Sequence, residues 1–354
     1  MRLEKRHRAS PLALGIASIA AIGFTLLVGT LLVRWAGAPV GRTYAALFEG
    51  GFGSTFAWSE TLTRATPLIF TGLAAAVAFR ARLFNIGAEG QLYAGALAAV
   101  AVGGLHDGAG WDLPVWVLSG LMFAAAALAG ALLLLGPALM KSRLGVDEVV
   151  TTLLLNFIVL LAVSALLDGP MKDPTAMGWP QSVALQDELS LGKLWPQTRL
   201  HTGLAGAVGL AVLLWLVMQR ARLGFDIRAV GANSRAAAFA GVPVTRTLVT
   251  VALLSGALAG LGGAVEVAGR TGYLTLDMSP GYGYSGIVIA MLAALHPLGV
   301  VAAAVFTAGV LVGADSMSRA VGVPSAIADV IVATSLLAVL VASLLAQYRV
   351  RWKG

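Results

Sequence analysis

The chain has 354 residues, of which 58% are hydrophobic and 12% charged, and its mean hydropathy is +0.86. Such a composition, with several unbroken apolar runs, excludes a soluble globular protein and predicts an all-α polytopic membrane protein. The formal net charge of +7 does not indicate a nucleic-acid-binding protein, because the cations lie in loops beside the apolar runs. The absence of cysteine excludes disulfide bonds and thiolate metal sites.

The apolar runs predict about ten transmembrane helices. The first run, 11–33, follows a basic head at 1–10 and is too long for the apolar core of a signal peptide, so we interpret it as a retained span. The segment 34–60, which contains several glycines and aromatic residues, is predicted to lie at the outer surface. The other predicted spans are 63–79, 86–104, 114–139, 149–167, 202–218, 247–268, 284–295, 298–313 and 325–346.

Two of these spans, 284–295 and 298–313, are short. A run of about twelve residues covers roughly 18 Å as a helix, whereas the apolar core of a bilayer is ~30 Å thick. We therefore predict that they form a broken or re-entrant pair of helices.

The distribution of basic residues predicts the orientation of the chain. Most of the 24 lysine and arginine residues lie in segments on one side of the predicted spans, and segments of this kind are cytoplasmic. Both termini are therefore predicted in the cytoplasm. One transmembrane domain, 11–346, would carry an external loop at 168–201 and a cytoplasmic loop at 219–246, and would end in a cytoplasmic tail at 347–354.

The loop at 219–246 is the most basic segment within the apolar part of the chain and contains five arginines. Its middle predicts a short helix, because Gly231, Asn233 or Ser234 would cap its start. Gly241 would end it. An alanine-rich helix without bulky side chains would fit closely into a groove of another protein. The alternative is an ordinary surface helix in a connecting loop.

A second polar segment, 84–91 with the sequence FNIGAEGQ, lies at the inner end of the third predicted span. Asn85 and Glu89 are four residues apart and would share one face of the helix. A carboxylate in a transmembrane helix is costly unless it faces protein or water, so Glu89 would either line a polar path or hold a neighbouring helix. Asn156 and Glu266, in later spans, have the same two interpretations, of which helix bridging is the commoner for an asparagine.

These two polar segments resemble a known family. The sequence AVGANSRAAAFAGVP at 229–243 resembles the coupling-helix loop of ABC importer permeases, the cytoplasmic part that docks on the ATPase subunit. The sequence RATPLIFTGLAAAVAFRARLFNIGAEGQ, which starts at Arg64, resembles the branched-chain amino acid/simple-sugar group of these permeases, which shares an Asn-Ile-Gly-x-Glu-Gly element. The resemblance extends over 47–346 and looks strongest to the larger permease of nucleoside importers that use lipoprotein receptors of the basic-membrane-protein type.

The chain departs from this group just before Pro297. Where the group often has Gly, Arg and Asn-type residues before Asn-Pro or Asp-Pro, residues 293–296 read Ala-Ala-Leu-His. The resemblance therefore assigns no role to this turn.

The resemblance implies a permease subunit of an ATP-driven importer in the bacterial inner membrane. The chain itself would bind no cofactor, because ATP and Mg²⁺ would belong to a partner ATPase docked on the loop at 219–246. The other implied partners are a second, homologous permease in a heterodimer and an extracytoplasmic substrate-binding lipoprotein. Nucleosides are the leading implied substrates, and ribose-like sugars are the next.

Two sets of candidate site residues follow from the resemblance and from the polar positions. The residues implied in coupling to the ATPase are Gly231, Ala232, Asn233, Arg235, Ala236, Ala237 and Gly241. The candidate residues of the translocation path are Asn85, Glu89, Gln91, Asn156 and Glu266.

The sequence contains no Gly-rich phosphate loop, metal-ligand cluster or nucleophile elbow, so the chain is not expected to hydrolyse ATP or to be an enzyme. A second hypothesis is a secondary transporter driven by a proton or sodium gradient. Its intramembrane ionisable groups would be Glu89 and Glu266. A membrane-embedded enzyme has the least support.

Overall fold

The computed structural model describes residues 2–5, 11–104, 113–322, 324–346 and 348–351, which are mostly helical. In chain order the helices are α1 (Pro11–Trp35), α2 (Val40–Phe52), α3 (Thr55–Arg80), α4 (Ala88–Gly103), α5 (Val115–Leu144), α6 (Glu148–Asp168), a 3₁₀ turn (Asp187–Leu189), α7 (Gly203–Arg220), α8 (Arg222–Ala232), α9 (Ser234–Phe239), α10 (Val244–Glu266) with a π-helical turn (Val267–Thr271), α11 (Tyr282–Leu292), α12 (Pro297–Val321) and α13 (Ser325–Ala346). Two strands, β1 (Arg2–Lys5) and β2 (Tyr348–Arg351), form an antiparallel pair. The predicted all-α class is confirmed apart from this pair.

Six helices of the described part of the chain are long and apolar enough to cross a membrane: α3, α5, α6, α7, α10 with its π-helical turn, and α12. The pair Ile19–Trp35 and Val40–Phe52, which is bent by 119°, raises the number to seven if it forms one span. The multi-pass character is therefore confirmed. The predicted number of about ten spans is not, because α4 has only 16 residues and α11 only 11.

Two predicted segments have different helix boundaries in the structure. The segment 34–60 contains α2 and the first residues of α3, which the prediction missed. The predicted short span 298–313 is part of α12, which has 25 residues and is a full-length helix. The helix continues beyond the apolar run because backbone hydrogen bonds define its end, whereas hydropathy follows only the side chains.

The chain divides into two compact units, the first of which comprises Met1–Thr61 and Val305–Gly354. In this unit α1 packs along α13, and the backbones of α2 and α12 touch where a Cβ at Gly51 would overlap the carbonyl of Gly309. The β1–β2 pair joins the two ends of the chain. Residues 2–5 and 348–351 therefore lie side by side. The prediction that both termini face the cytoplasm stays a prediction.

The second unit, Leu62–Ala304, has a core of three helices that touch backbone to backbone. α10 crosses α5 where a Cβ at Gly260 would overlap the carbonyl of Ala126. α4 packs on α10 where a Cβ at Gly95 would overlap the carbonyl of Gly260. Small residues allow such close approach and are common contacts between transmembrane helices. This core therefore depends on glycines as well as on apolar side chains.

The segment between α6 and α7, predicted as the external loop, lies against the residues that follow α10. Leu185 donates a backbone hydrogen bond to the carbonyl of Gly272 at 2.7 Å. Leu191 donates another to the carbonyl of Ala268 at 2.8 Å. His201, at the end of the segment, is buried. Burial, together with the positive charge of Arg270, lowers the pKa of His201 to about 4.

We expect the protein to lose stability as the pH falls from about 6.5 to about 4, because the unfolded chain then binds a proton at His201 that the folded chain does not bind. For this group the loss approaches ~3 kcal/mol. Thermal unfolding in detergent near neutral pH and at acidic pH should show a smaller acid-induced decrease for His201→Phe than for the wild type. His296→Phe, which removes an exposed imidazole, is the control. Equal decreases in all three proteins would contradict this expectation.

Candidate functional site

The connection from α3 to α4 lies at the centre of the first candidate site. After α3 the chain turns at Arg82, whose φ is +56°, and α4 begins only at Ala88. The prediction that Asn85 and Glu89 share a helix face is therefore wrong, because Asn85 precedes the helix. Its side-chain oxygen accepts a hydrogen bond from the Gly87 N–H at 2.9 Å. This local bond keeps residues 85–87 out of a helix, so that α4 begins only after them.

Asn85 and Gln91 form a closed pair of amides. Asn85 Nδ2 donates to Gln91 Oε1 at 2.8 Å, and Gln91 Nε2 donates to Asn85 Oδ1 at 2.9 Å. Asn85 Nδ2 also donates to Ser255 Oγ of α10 at 3.0 Å. Ser255 in turn donates to the carbonyl of Ala74 in α3 at 2.8 Å. These groups are buried and paired with one another, so they tie the start of α4 to α3 and α10.

Asn156 of α6 is bound to the same region. Its Oδ1 accepts from the Gly90 N–H at 2.8 Å, and its Nδ2 donates to the carbonyl of Ile86 at 2.9 Å and to Tyr284 Oη at 3.2 Å. In this structure Asn156 therefore bridges α6 to α4 and α11, which is one of the two interpretations of the sequence. Ser255 and Tyr284 were not predicted from the sequence, because a single hydroxyl within an apolar run is not distinctive.

Glu89 lies in the first turn of α4, is 3% exposed and reaches the start of α11. Its carboxylate accepts from the Gly283 N–H at 2.6 Å and is also hydrogen-bonded to the Ser279 side chain and the Gly281 backbone. The first N–H groups of a helix have no partner within the helix, and a negative charge there is favourable for the helix dipole. In this structure Glu89 therefore holds a neighbouring helix.

Glu266, the fifth candidate path residue, belongs to an ion pair. It is fully buried at the end of α10 and pairs with Arg270 in the π-helical turn. Arg270 also donates to the carbonyl of Met278 at 3.1 Å. Arg64 and Tyr282 interact electrostatically with the same carboxylate. Arg270 was not among the predicted residues, although its spacing of four residues from Glu266 is typical of a helical ion pair.

The predicted coupling loop contains two helices, α8 and α9, of which the prediction missed α8. The cap at Asn233 is confirmed, because its Oδ1 accepts from the Ala236 N–H at 3.0 Å. The stop at Gly241 is confirmed as well, since its φ of +83° is one that glycine adopts without strain. Gly231 is not a cap, because it lies within α8, where a Cβ would overlap the carbonyl of Arg80.

The exposed face of α9 differs from the prediction. Ala237 is only 5% exposed, so its side chain packs within this chain and does not face an external groove. Phe239 is 97% exposed, so the prediction of a helix without bulky surface side chains is wrong. Of the predicted coupling residues, Ala232, Asn233, Arg235, Ala236 and Gly241 are exposed.

Comparison with known proteins agrees with the resemblance of the two polar segments. Residues 57–344 match the family described as "Branched-chain amino acid transport system / permease component". The chain is 36% identical over 325 residues to the guanosine ABC transporter permease protein NupP of Bacillus subtilis (strain 168), covering 91% of this chain and 92% of NupP. It is 37% identical over 349 residues to the glucose ABC transporter permease protein TsgB13 of Haloferax volcanii, covering 96% of this chain and 90% of TsgB13.

A second guanosine ABC transporter permease protein of Bacillus subtilis, NupQ, is 28% identical over 252 residues, covering 70% of this chain and 77% of NupQ. The family match covers more than half of the chain, and the two stronger relatives match it almost from end to end. The chain therefore belongs to the branched-chain amino acid transport system permease family and is a multi-pass membrane permease subunit of the ABC transporter type.

Proposed function

We propose that the chain forms the translocation path of an ATP-driven importer of nucleosides. The observation that carries this proposal is the similarity to the guanosine permease NupP over about nine tenths of both chains. A simple sugar is the second candidate substrate, because the glucose permease TsgB13 is similar to the same degree. The polar cluster around Glu89 supports a scaffold beside the path, since its side chains bind one another and the backbone.

The proposal includes the partners that such an importer needs. The sequence has no phosphate-binding loop, so a separate ATPase would bind ATP and Mg²⁺. A second, homologous permease would complete a heterodimer, in keeping with the two guanosine permease proteins of Bacillus subtilis. An extracytoplasmic lipoprotein would deliver the substrate. About ten spans, with both termini in the cytoplasm, would place 168–201 outside and 219–246 inside.

The ATPase would dock on α9 through Phe239. Arg235 and Phe239 are four residues apart, share one face of the helix and are both exposed. Aromatic and arginine side chains are the commonest hot spots of protein interfaces. Burying a phenylalanine contributes about 1.5–3 kcal/mol, and the arginine would pair with acidic groups of the partner. Ala237 would hold α9 against the rest of the permease, because its side chain is buried within this chain.

Phe239→Ala is expected to lower co-purification of the ATPase roughly tenfold or more, because the contact loses the burial of one aromatic ring. Pull-down of the ATPase from detergent extracts, at matched permease expression, measures this loss. The matched control is Phe157→Ala, since Phe157 is exposed on the long apolar helix α6 and not in the loop. Full recovery of the ATPase together with wild-type uptake by Phe239→Ala would reject the docking role.

Uptake by reconstituted vesicles tests the function and its substrate. Liposomes would contain this permease, its homologous partner and the ATPase, with the receptor outside and ATP inside. We expect ATP-dependent uptake of radiolabelled guanosine that other nucleosides compete with and glucose does not. Uptake of glucose but not of nucleosides would select the sugar alternative. Uptake that follows a proton or sodium gradient without ATP would reject the ATP-driven importer in favour of a secondary transporter.

A further inference from the structure

α11 runs alongside only part of its neighbour α3. It starts beside Thr71, whose Oγ1 donates to the carbonyl of Tyr282 at 2.9 Å. The turn that follows it lies beside Arg80, the last residue of α3. Thr71 and Arg80 are nine residues apart, or about 14 Å along a helix, which is close to the ~16 Å length of an 11-residue helix. α11 therefore extends beside the second half of α3.

Side chains of opposite charge hold the two ends of α11. At its start, Glu89 accepts from the Gly283 N–H. After its end, Arg80 Nη1 donates to the carbonyls of Leu295 at 3.3 Å and Ala294 at 3.5 Å. Each charge has the sign that stabilises its end of the helix, because the partial charge is positive at the N-terminus and negative at the C-terminus. Helix α11 is thus held at both ends by residues of other elements.

The turn after α11 has an unfavourable backbone conformation. Ala294 and Leu295 have φ angles of +49° and +60°, in the left-handed region that residues with a side chain adopt reluctantly. Leu295 N–H donates to the carbonyl of Ala290 at 2.8 Å, which closes the turn. Backbone of this kind persists where surrounding contacts hold it, and it occurs at switch regions. Arg80 supplies such a contact from outside the turn.

Arg80 also contacts α8, the first helix of the predicted coupling loop. A Cβ at Gly231 of α8 would overlap the carbonyl of Arg80 and would lie 3.4 Å from Cα of Ala81. The backbones of α8 and of the end of α3 are therefore in direct contact. One residue, Arg80, thus touches the loop through its main chain and the turn after α11 through its side chain.

We propose that Arg80 is a positioning residue that transmits movement of α8 to α11 by holding or releasing the left-handed turn at Ala294 and Leu295. The proposal rests on the proposed function, since the ATPase would move α8. Coupling between distant sites requires an element with two arrangements that both sites influence, and in this proposal the strained turn is that element. When α8 shifts the end of α3, the Arg80 guanidinium moves away from the carbonyls of Ala294 and Leu295. The C-terminal end of α11 then loses this contact.

The absence of cysteine from the sequence allows a single spin label on α11. Met291→Cys places a nitroxide at a position that is 37% exposed, in the last turn of the helix. Electron paramagnetic resonance of the permease–ATPase complex, with and without ATP and vanadate, then reports the mobility of α11 and needs no transported substrate. The variants compared in this background are Arg80→Ala and the control Arg82→Ala, which removes an exposed arginine two residues away.

In the labelled Met291→Cys protein, the parent of these variants, and in Arg82→Ala, we expect ATP and vanadate to change the nitroxide spectrum. In Arg80→Ala the change should be at least threefold smaller, with the ATPase still bound. An unchanged response in Arg80→Ala would overturn the proposal, as would loss of the bound ATPase. If Arg80→Ala does not accumulate, Arg80→Gln replaces it with the same expected loss, because the shorter amide cannot reach both carbonyls. Failure of the parent itself to bind an ATPase would instead reject the proposed function and, with it, this proposal.

Ala294→Gly separates transmission from simple support of the turn. Glycine adopts a positive φ without strain, so adding Ala294→Gly to Arg80→Ala should restore the resting spectrum of the parent. The response to ATP should stay lost, because the link to α8 is still absent. A double variant that regains the ATP response would show that Arg80 only supports the turn, and this result would overturn the proposal.

Discussion

Gly260→Val is expected to reduce the yield of folded protein in the membrane at least tenfold. A Cβ at this position would overlap the carbonyl of Ala126 and would lie 3.3 Å from Cα of Gly130, so α10 would have to separate from α5. Overpacking of a core typically costs ~1–3 kcal/mol, and the cost is higher here because the obstructing atoms belong to the backbone. The carbonyl of Gly260 is also the point where α4 approaches α10 at Gly95, so the displacement affects three helices.

The yield is measured by size-exclusion chromatography of a fluorescent fusion in detergent. The matched control is Gly206→Val in α7, since a Cβ at that exposed position would meet nothing within 4 Å in the described part of the chain besides its neighbours and the backbone of its own helix. This variant should accumulate like the wild type. Equal yields of the Gly260 and Gly206 variants would show that the close contact of α4, α5 and α10 does not hold the second unit together.

Glu89→Leu is expected to destabilise the protein by about 1–3 kcal/mol, whereas Glu89→Gln should retain its fold. Leucine leaves the Gly283 N–H and the Ser279 side chain without the acceptor that they have in the wild type, and a buried group without its partner is costly. Glutamine has nearly the same shape, and its amide oxygen still accepts a hydrogen bond. Thermal unfolding of the two variants in detergent measures the difference.

Uptake by the Glu89→Gln variant then distinguishes the roles that the sequence left open. If Glu89 serves to hold α11, this variant should keep most of the wild-type uptake. A folded Glu89→Gln protein without uptake would instead favour a role in the path, or in ion coupling by a secondary transporter. Equal stability of the Leu and Gln variants would contradict the anchoring of α11.

Local signals explain what could be predicted for the coupling loop. The cap at Asn233 and the stop at Gly241 depend on contacts within a few residues, and both appear where the sequence places them. The orientation of the helix between them depends on distant parts of the chain. The sequence therefore did not reveal that Ala237 faces inward and that Phe239 faces outward.

The membrane class, the family and the positions of most helices can be predicted from the sequence, because long apolar runs and short motifs are properties of consecutive residues. The partners of the polar side chains, in contrast, depend on the tertiary structure. Glu89 meets Gly283, and Arg80 meets Leu295, across about two hundred residues of sequence. Such contacts depend on how closely the helices pack at their glycines, and no local pattern encodes which two polar groups the packing brings together.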